Sequence, residues 1–386
     1  MRTAHIVAGL AYGDEGKGST VDFLVRQRQA GLVVRYNGGS QAGHNVVLSD
    51  GRHHCFAQFG SGTFVPGVRT HLSRFMLVNP LNMKLEYEAL KNNGIYDAYN
   101  RLSIDGKCLI VTPFHRAINR MIEQFRGNAH HGSCGQGIGQ CRFEHLKHGE
   151  KVLFAEDLLD ETKTKTKLKF ILSEMKKTSD FITKTNPFIP KDEFIEAGNA
   201  AIDLIWSLYN EWPAKIVKPT HLQYLLNQTN DTVFEGAQGV LLDEHHGSAP
   251  HNTWTNTTFE NALTLLGENN FEGDIHKIGV LRTYFTRHGA GPFKTEDESL
   301  KPLLPEPHND DIGFQGTFRV GYMDYTAVNY AIKVCKGVDG IALNHLDIVG
   351  ATAQGRNVKK IETITNTPVW IEGYGPTAND RHWRKK

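Results

Sequence analysis

Two adjacent carboxylates, Asp14 and Glu15, stand inside a run suited to holding an anion: Gly9-Leu10-Ala11-Tyr12-Gly13-Asp14-Glu15-Gly16-Lys17-Gly18-Ser19. Gly13, Gly16 and Gly18 let successive backbone N–H groups converge on a phosphate with no Cβ in the way. Lys17 adds a full positive charge. The helical pattern that follows, Thr20 to Arg28, adds the partial charge of its N-terminus. Carboxylates beside a bound phosphate are repelled unless they hold a metal or move a proton, so the stretch points to binding and catalysis in one place. The usual phosphate-loop pattern fails here, because Ala11 takes its first glycine position and Gly18 its last Ser/Thr position. Taken alone, the run also reads as a tight strand–helix connection.

A second glycine-rich turn follows the strand pattern Leu32 to Tyr36 and runs Asn37-Gly38-Gly39-Ser40-Gln41-Ala42-Gly43-His44. Ligands of parallel α/β sheets sit at the carboxyl ends of strands, so the two turns plausibly face one site. His44 is a candidate general acid there, or an exposed turn histidine. A third segment, Gly132-Ser133-Cys134-Gly135-Gln136-Gly137-Ile138-Gly139, lies near Arg142, Lys147 and His148 and reads either as a phosphate cradle or as a surface loop. Val233 to Leu242 reads as strand and turn around Gln238. The polar stretch after it, which includes Thr253 and Asn256, is suited to hydrogen-bonding a nucleotide. A strand-end Asn344-His345-Leu346-Asp347 resembles the guanine-reading tetrapeptide of GTP-binding proteins, in which the carboxylate accepts from N1–H and the 2-amino group. Gly373-Tyr374-Gly375-Pro376 marks a final turn.

These turns require strands and helices to aim them. The expected fold is α/β, a large central and mostly parallel sheet flanked by helices, P-loop-like in its nucleotide binding, with helical and small accessory subdomains. Lys107 to Val111 and Ile278 to Phe285 read as strands, and Ala117 to Phe125 and 324–335 as helices. Residues 155–228 read as a helical insertion within a single domain spanning 1–386. The chain has 386 residues, 39% hydrophobic and 22% charged, with a net charge of +1. That balance argues against nucleic-acid or membrane partners. No apolar run spans a bilayer, and the N-terminus enters a strand at once, so no leader is expected. Five scattered cysteines without CxxC spacing predict neither a disulfide framework nor a zinc site, and make a cytoplasmic location the expectation. The His53-His54, His130-His131 and His245-His246 pairs lack a third ligand at metal-binding spacing and read as structural.

In their order along the chain, these stretches resemble adenylosuccinate synthetase. They are Tyr12 to Gly18, Arg35 to His44, Gly135 to Gly139, Phe234 to Gly239 with Asn256-Thr257-Thr258, Thr286-Arg287-His288-Gly289-Ala290-Gly291-Pro292-Phe293, and His345-Leu346-Asp347. That family uses GTP to phosphorylate the 6-oxygen of inosine monophosphate and then displaces the phosphate with the amine of L-aspartate. The resemblance implies that Asp14 takes the purine N1 proton and contacts Mg²⁺, whose shell the Gly43 carbonyl completes. It implies that His44 acts on the leaving β-phosphate oxygen of GTP. Lys17 and the loop of Gly13, Glu15, Gly16 and Gly18 would hold the transferring phosphoryl. By the same carry-over Gln238 lies near the purine 6-position, with Gln41 in the second loop. Ser133, Cys134 and Thr253 lie at the nucleotide 5′-phosphate, and His345, Asp347 and Gly375 serve the GTP (or ATP) site. A homodimer is implied in which Lys147 or His148 reaches the neighbouring site.

The departures bear on the substrate. The aspartate-binding loop of the family carries a run of arginines. The corresponding Gly313 to Tyr322 keeps only Arg319, and arginine is the natural bidentate clamp for a dicarboxylate. Paired threonines are replaced by Ser133-Cys134, an arginine by Gln136, a ribose-side valine by His288, a lysine by His345 and an asparagine by Gln41. The alternatives to the IMP and aspartate reading are therefore the same chemistry on dGMP, giving a 2-aminoadenine precursor, a non-aspartate amine, or a catalytically silent nucleotide-binding regulator. Asp14 counts against the phage dGMP-using type, in which that residue is expected to be replaced.

Overall fold

The structure is a computed structural model, and it describes residues 2–199, 202–304, 306, 314, 316–348 and 357–384. Its strands are β1 Thr3–Gly9, β2 Leu32–Arg35, β3 His44–Val47, β4 His53–Phe56, β5 Arg69–Leu72, β6 Leu77–Val78, β7 Leu102–Asp105, β8 Leu109–Ile110, β9 Lys215–Val217, β10 Asp231–Gly239, β11 Asp274–Arg282, β12 Tyr284–His288, β13 Phe318–Tyr322, β14 Gly340–Asn344, β15 Val369–Gly373 and β16 Arg381–Trp383. Ten of them form one sheet in the order β16-β15-β14-β11-β1-β10-β2-β5-β7-β9. Only β16 runs antiparallel, against β15. This is the expected α/β fold with a large, mostly parallel sheet.

β1 sits at the centre because it can be buried on both faces. His5 to Gly9 is closed from solvent along its length, with Ile6 and Ala8 in one hydrophobic cluster and Val7 in the opposite one. An apolar strand of this kind needs helices on both sides. One is α1, Lys17–Arg28, in which Lys17 to Val25 are all buried. Elsewhere in the fold two helices have local start signals. Asn79 caps α2, Pro80–Asn92, and Thr112 caps α3, Pro113–Arg126, each with proline at the first helical position. α4, Ile138–His148, starts where Gly137 takes a left-handed φ of 80°.

The described part of residues 155–228 includes the helices α5 Glu161–Thr185, α6 Asp192–Asn199 and α7 Ile202–Asn210. α5 buries Leu168, Ile171, Met175 and Ile182, the spacing of one helical face. The same segment also contains β9, which pairs with β7 at the sheet edge, and a short helix whose Leu222, Leu225 and Leu226 join the main core.

Two strand expectations shorten. Of Lys107 to Val111 only β8 pairs, because Asp105 turns the chain by accepting from the N–H of Lys107. Ile278 to Phe285 is not one strand. It breaks at Thr283, whose hydroxyl donates to the carbonyl of His345, and β12 leaves the sheet to pair antiparallel with β13. No helix among the described residues is long and apolar enough to cross a membrane.

Candidate active site

The first glycine turn connects the carboxyl end of β1 to α1. Gly13, Asp14 and Gly16 all take positive φ, 98°, 61° and 89°. A non-glycine residue in that region is strained, and Asp14 is held there by Arg282, whose guanidinium donates to the Asp14 carbonyl at 3.0 Å. Glu15 lies beneath the turn and is fully buried. It accepts from the N–H groups of Ala11 at 3.1 Å and Gly13 at 2.9 Å, and from Lys17 Nζ at 2.5 Å. This corrects the expectation for Glu15, whereas Gly13 lines the cavity. Glu15 is the turn's own internal anion rather than a cavity group, and the Gly13 N–H points at it.

The turn is strapped from behind. Asn344, at the end of β14, donates through Nδ2 to the carbonyl of Glu15 at 2.8 Å and to the Thr20 hydroxyl at 3.2 Å. Its Oδ1 accepts from Arg381 Nε at 3.3 Å, and Arg381 also donates to the Ser19 hydroxyl at 2.5 Å. Asn344 is thus turned into the protein, leaving His345 and the exposed Asp347, which both line the cavity, as the side chains of that tetrapeptide available to a base.

The second turn meets the first at Gly18. A Cβ there would lie 2.8 Å from the carbonyl carbon of His44 and 2.9 Å from the Asn45 oxygen, so only glycine permits this approach. His44 Nδ1 lies 2.6 Å from Glu235 Oε1, on β10. Burial lowers the His44 pKa most, Arg35 and Lys17 lower it further, and Glu235 raises it; the result is about 4. Glu235 is opposed by burial but held to about 2 by Arg35, His44 and Ser61. At neutral pH Glu235 is therefore ionised, His44 is neutral with its Nδ1 proton toward Glu235, and Nε2 is left for a ligand.

Asp14 Oδ2 lies 2.9 Å from His288 Nε2 at the end of β12. Burial would raise the Asp14 pKa, but the His288 contact, Arg282 and Lys17 outweigh it and hold the carboxyl below its ordinary value. No described residue makes a hydrogen bond to Oδ1.

These groups open on one cavity of about 1250 Å³. It is lined by Gly13, Asp14, Gly16, Lys17, Gly18, Gln41, Gly43, His44, Ser133, Cys134, Lys147, Gln238, Thr253, His345, Asp347 and Gly375, and also by His288, Arg282 and Arg381. The volume exceeds the ~300–1,000 Å³ of a site for one drug-sized ligand, which leaves room for two nucleotides. Both ends of the Gln41 amide are buried with no hydrogen-bond partner among the described residues. The Ser133 segment is laid on α3. There Asn119 meets the Ser133 hydroxyl at 3.0 Å, and Glu123 accepts from the N–H groups of Gly132 at 2.9 Å and Ser133 at 3.2 Å. Lys147 is half-exposed and faces the cavity. Lys147 lies 3.6 Å from Glu174, and His148 is held between Glu144 at 3.1 Å and Glu174 at 3.4 Å.

Arg319 stands apart. It pairs with Glu296, donates to the carbonyls of Gly289 at 3.1 Å and Gly291 at 2.9 Å, and does not line the cavity. The arginine kept in the loop is thus not presented to the cavity as a ligand-binding group: it braces the β12–β13 hairpin. Gly313 and Gln315 of the same loop lie outside the described residues.

Among the described residues no group of three or more His, Cys, Asp or Glu side chains could hold a metal ion. Magnesium needs no such cage, since one or two carboxylates plus phosphate oxygens and waters suffice. Asp14 and Gly43 both line the cavity, and a carboxylate with a backbone carbonyl fits an ion carried in by a nucleotide.

Residues 6–356 match the family model described as adenylosuccinate synthetase. The chain belongs to the adenylosuccinate synthetase family. It is 32% identical to the adenylosuccinate synthetase of Marinomonas sp. over 90% of this chain and 78% of that one, and 31% identical to that of Shewanella halifaxensis over 96% and 84%. Its fold matches the fully ligated adenylosuccinate synthetase of Plasmodium falciparum with a TM-score of 0.77 at 20% identity over 99% of each chain. It also matches the cyanophage S-2L succinoaminodeoxyadenylate synthetase, a structure bound to dGMP and to dATP as an energy donor, with a TM-score of 0.68 at 18% identity over 99% of this chain and 95% of that one. The chain is accordingly an adenylosuccinate synthetase-like ligase.

Sequence reasoning missed three parts of this site: Glu235 as the partner of His44, Arg381 as the clamp on Ser19 and Asn344, and Glu123 under the Ser133 segment. None had a local signal, since each partner lies in another element and two of the pairings cross more than 190 residues.

Proposed function

We propose that this ligase transfers the γ-phosphoryl of GTP to the 6-oxygen of a purine nucleoside monophosphate, IMP in the first instance, and then joins L-aspartate at C6. The observation that carries this reading is the convergence of Asp14, Lys17 and His44 on one cavity with Gln238, Asp347 and Gly375. In the first step the Asp14 carboxylate accepts the N1 proton, a bond forms between O6 and the γ-phosphorus, and the bond to the β,γ-bridging oxygen breaks, releasing GDP. In the second the aspartate amine adds at C6 and inorganic phosphate leaves. Phosphoryl transfer asks chiefly for positioning and charge neutralisation. Lys17, held by Glu15, and the Gly16 and Gly18 backbone supply these at the γ-phosphate. Neutral His44 can donate from Nε2 only after gaining a proton, and the negative charge of a bound triphosphate favours that gain. Mg²⁺, held by Asp14 and the Gly43 carbonyl, would neutralise phosphate charge. Ser133, Cys134, Thr253 and Gln41 hold the monophosphate, and His345 and Asp347 the guanine. The reading includes a cytoplasmic homodimer in which Lys147 reaches the neighbouring nucleotide.

A second reading, the same activation on dGMP or with another amine, is favoured by one observation: Arg319, the arginine kept in the loop, is occupied by Glu296 outside the cavity. GDP release measured with IMP or dGMP, with and without aspartate, separates them. Release that requires IMP and aspartate together supports the first. Release that requires dGMP, or ignores aspartate, supports the second. Asp14→Asn is expected to abolish release while GTP binding persists, and near-normal release by that variant overturns the role of Asp14.

A further inference from the structure

Two cavity groups with no part in that scheme touch Asp14: Arg282 holds its backbone carbonyl, and His288 meets its carboxylate. His288 Nε2 lies 2.9 Å from Oδ2. The imidazole is seated by the β12–β13 hairpin, where His288 pairs with Phe318 and the two rings lie 5.0 Å apart. Arg282 fixes the Asp14 backbone at the same time, so the carboxylate cannot swing away by a change in the turn. An ionised carboxylate only accepts hydrogen bonds, so Nε2–H donates, and a neutral imidazole is enough. One carboxylate oxygen is therefore engaged by the protein, and Oδ1 has no partner among the described residues.

Purines differ in what they bring to such a group. Hypoxanthine presents one donor on the relevant edge, N1–H. Guanine presents two side by side, N1–H and the 2-amino group, and matches a carboxylate with both oxygens open. We propose that His288 is a specificity-determining residue: by occupying Oδ2 of Asp14 it leaves one carboxylate oxygen for the purine edge and selects 6-oxopurine nucleotides lacking a 2-amino group. The proposal rests on the reading that sets Asp14 against purine N1, and it narrows the substrate class of that site.

The test compares kcat/KM for IMP against GMP, and for dIMP against dGMP, so that the sugar is constant within each pair. Wild-type protein is expected to favour the hypoxanthine member about tenfold, the worth of one hydrogen bond. His288→Val opens Oδ2 and is expected to shrink that ratio at least fivefold, with guanine-nucleotide turnover rising in absolute terms. His288→Gln keeps an N–H donor at similar reach and is expected to keep the preference. A wild-type preference for guanine nucleotides overturns the proposal. So does a His288→Val variant that lowers both purines together at an unchanged ratio, or a His288→Gln variant that behaves like His288→Val. If instead Asp14→Asn turns over all four nucleotides normally, the placement of Asp14 at N1 has failed, and the selectivity of His288 falls with it.

Discussion

Replacing Asn344 with alanine tests whether the strap behind the phosphate turn sets its shape. Asn344 is 1% exposed and makes its hydrogen bonds to three other elements: the turn itself, α1 at Thr20, and β16 at Arg381. Alanine removes both ends of the amide, leaving the Glu15 carbonyl and the Arg381 Nε–H buried and less well satisfied. Each such loss costs about 1–3 kcal/mol, so about 3 kcal/mol in total is expected. For a chain of 386 residues, an unfolding entropy of about 2.1 cal/mol/K per residue gives about 0.8 kcal/mol/K, and the loss becomes a fall in melting temperature of about 4 °C. Asn344→Asp retains an acceptor for Arg381 but sets a carboxylate against the Glu15 carbonyl, so it is expected to be at least as damaging as alanine. Calorimetry of the apo protein reads both values. Because the strap shapes the turn that carries both Lys17 and Asp14, kcat/KM is expected to fall severalfold for GTP and for the purine monophosphate alike. A melting temperature within 1 °C of wild type, or an aspartate variant of wild-type stability, refutes the reasoning.

Gly18→Ala should lower kcat by a factor of ten or more with little loss of the folded state, because the added Cβ meets the His44 carbonyl carbon at 2.8 Å and pushes the two glycine turns apart. Single-turnover GTP cleavage reads this, and unchanged cleavage rejects the claim that close approach of the turns matters. Acid should destabilise the protein well above the range of its carboxylates. Burial drives His71 and His115 to about 3, against 6.5 when unfolded, so the unfolded chain binds protons first and stability falls as pH drops through 6.5 toward 3. At pH 5 each contributes a loss of about 2 kcal/mol relative to pH 7.5, and together they lower the melting temperature by about 5 °C. A melting temperature that is constant or rises between pH 7.5 and 5 contradicts the burial of these imidazoles.

Much of the site is local, and so was open to a reading of the sequence. The glycine turn after an apolar strand, the lysine before a helix and the histidine ending a second turn are short-range patterns whose chemistry follows from residue type and spacing. Their order along the chain carried the family resemblance, and alternation of apolar strands with helices carried the parallel sheet. The tertiary structure decided which polar groups face the ligand and which face the protein. Glu15, Asn344 and Arg319 each look like ligand-binding residues in sequence. In the fold each is turned to protein partners, Glu15 to its own turn and Asn344 and Arg319 to other segments, because a buried amide, carboxylate or guanidinium must find partners wherever the packing brings them. Likewise His288 comes to Asp14 from 274 positions away because β12 leaves the sheet at Thr283. Spacing in a chain reports which groups lie on one turn or one face. It does not report which carboxylate oxygen remains open once distant strands have closed around it, and in this protein that open oxygen bears on the choice of purine.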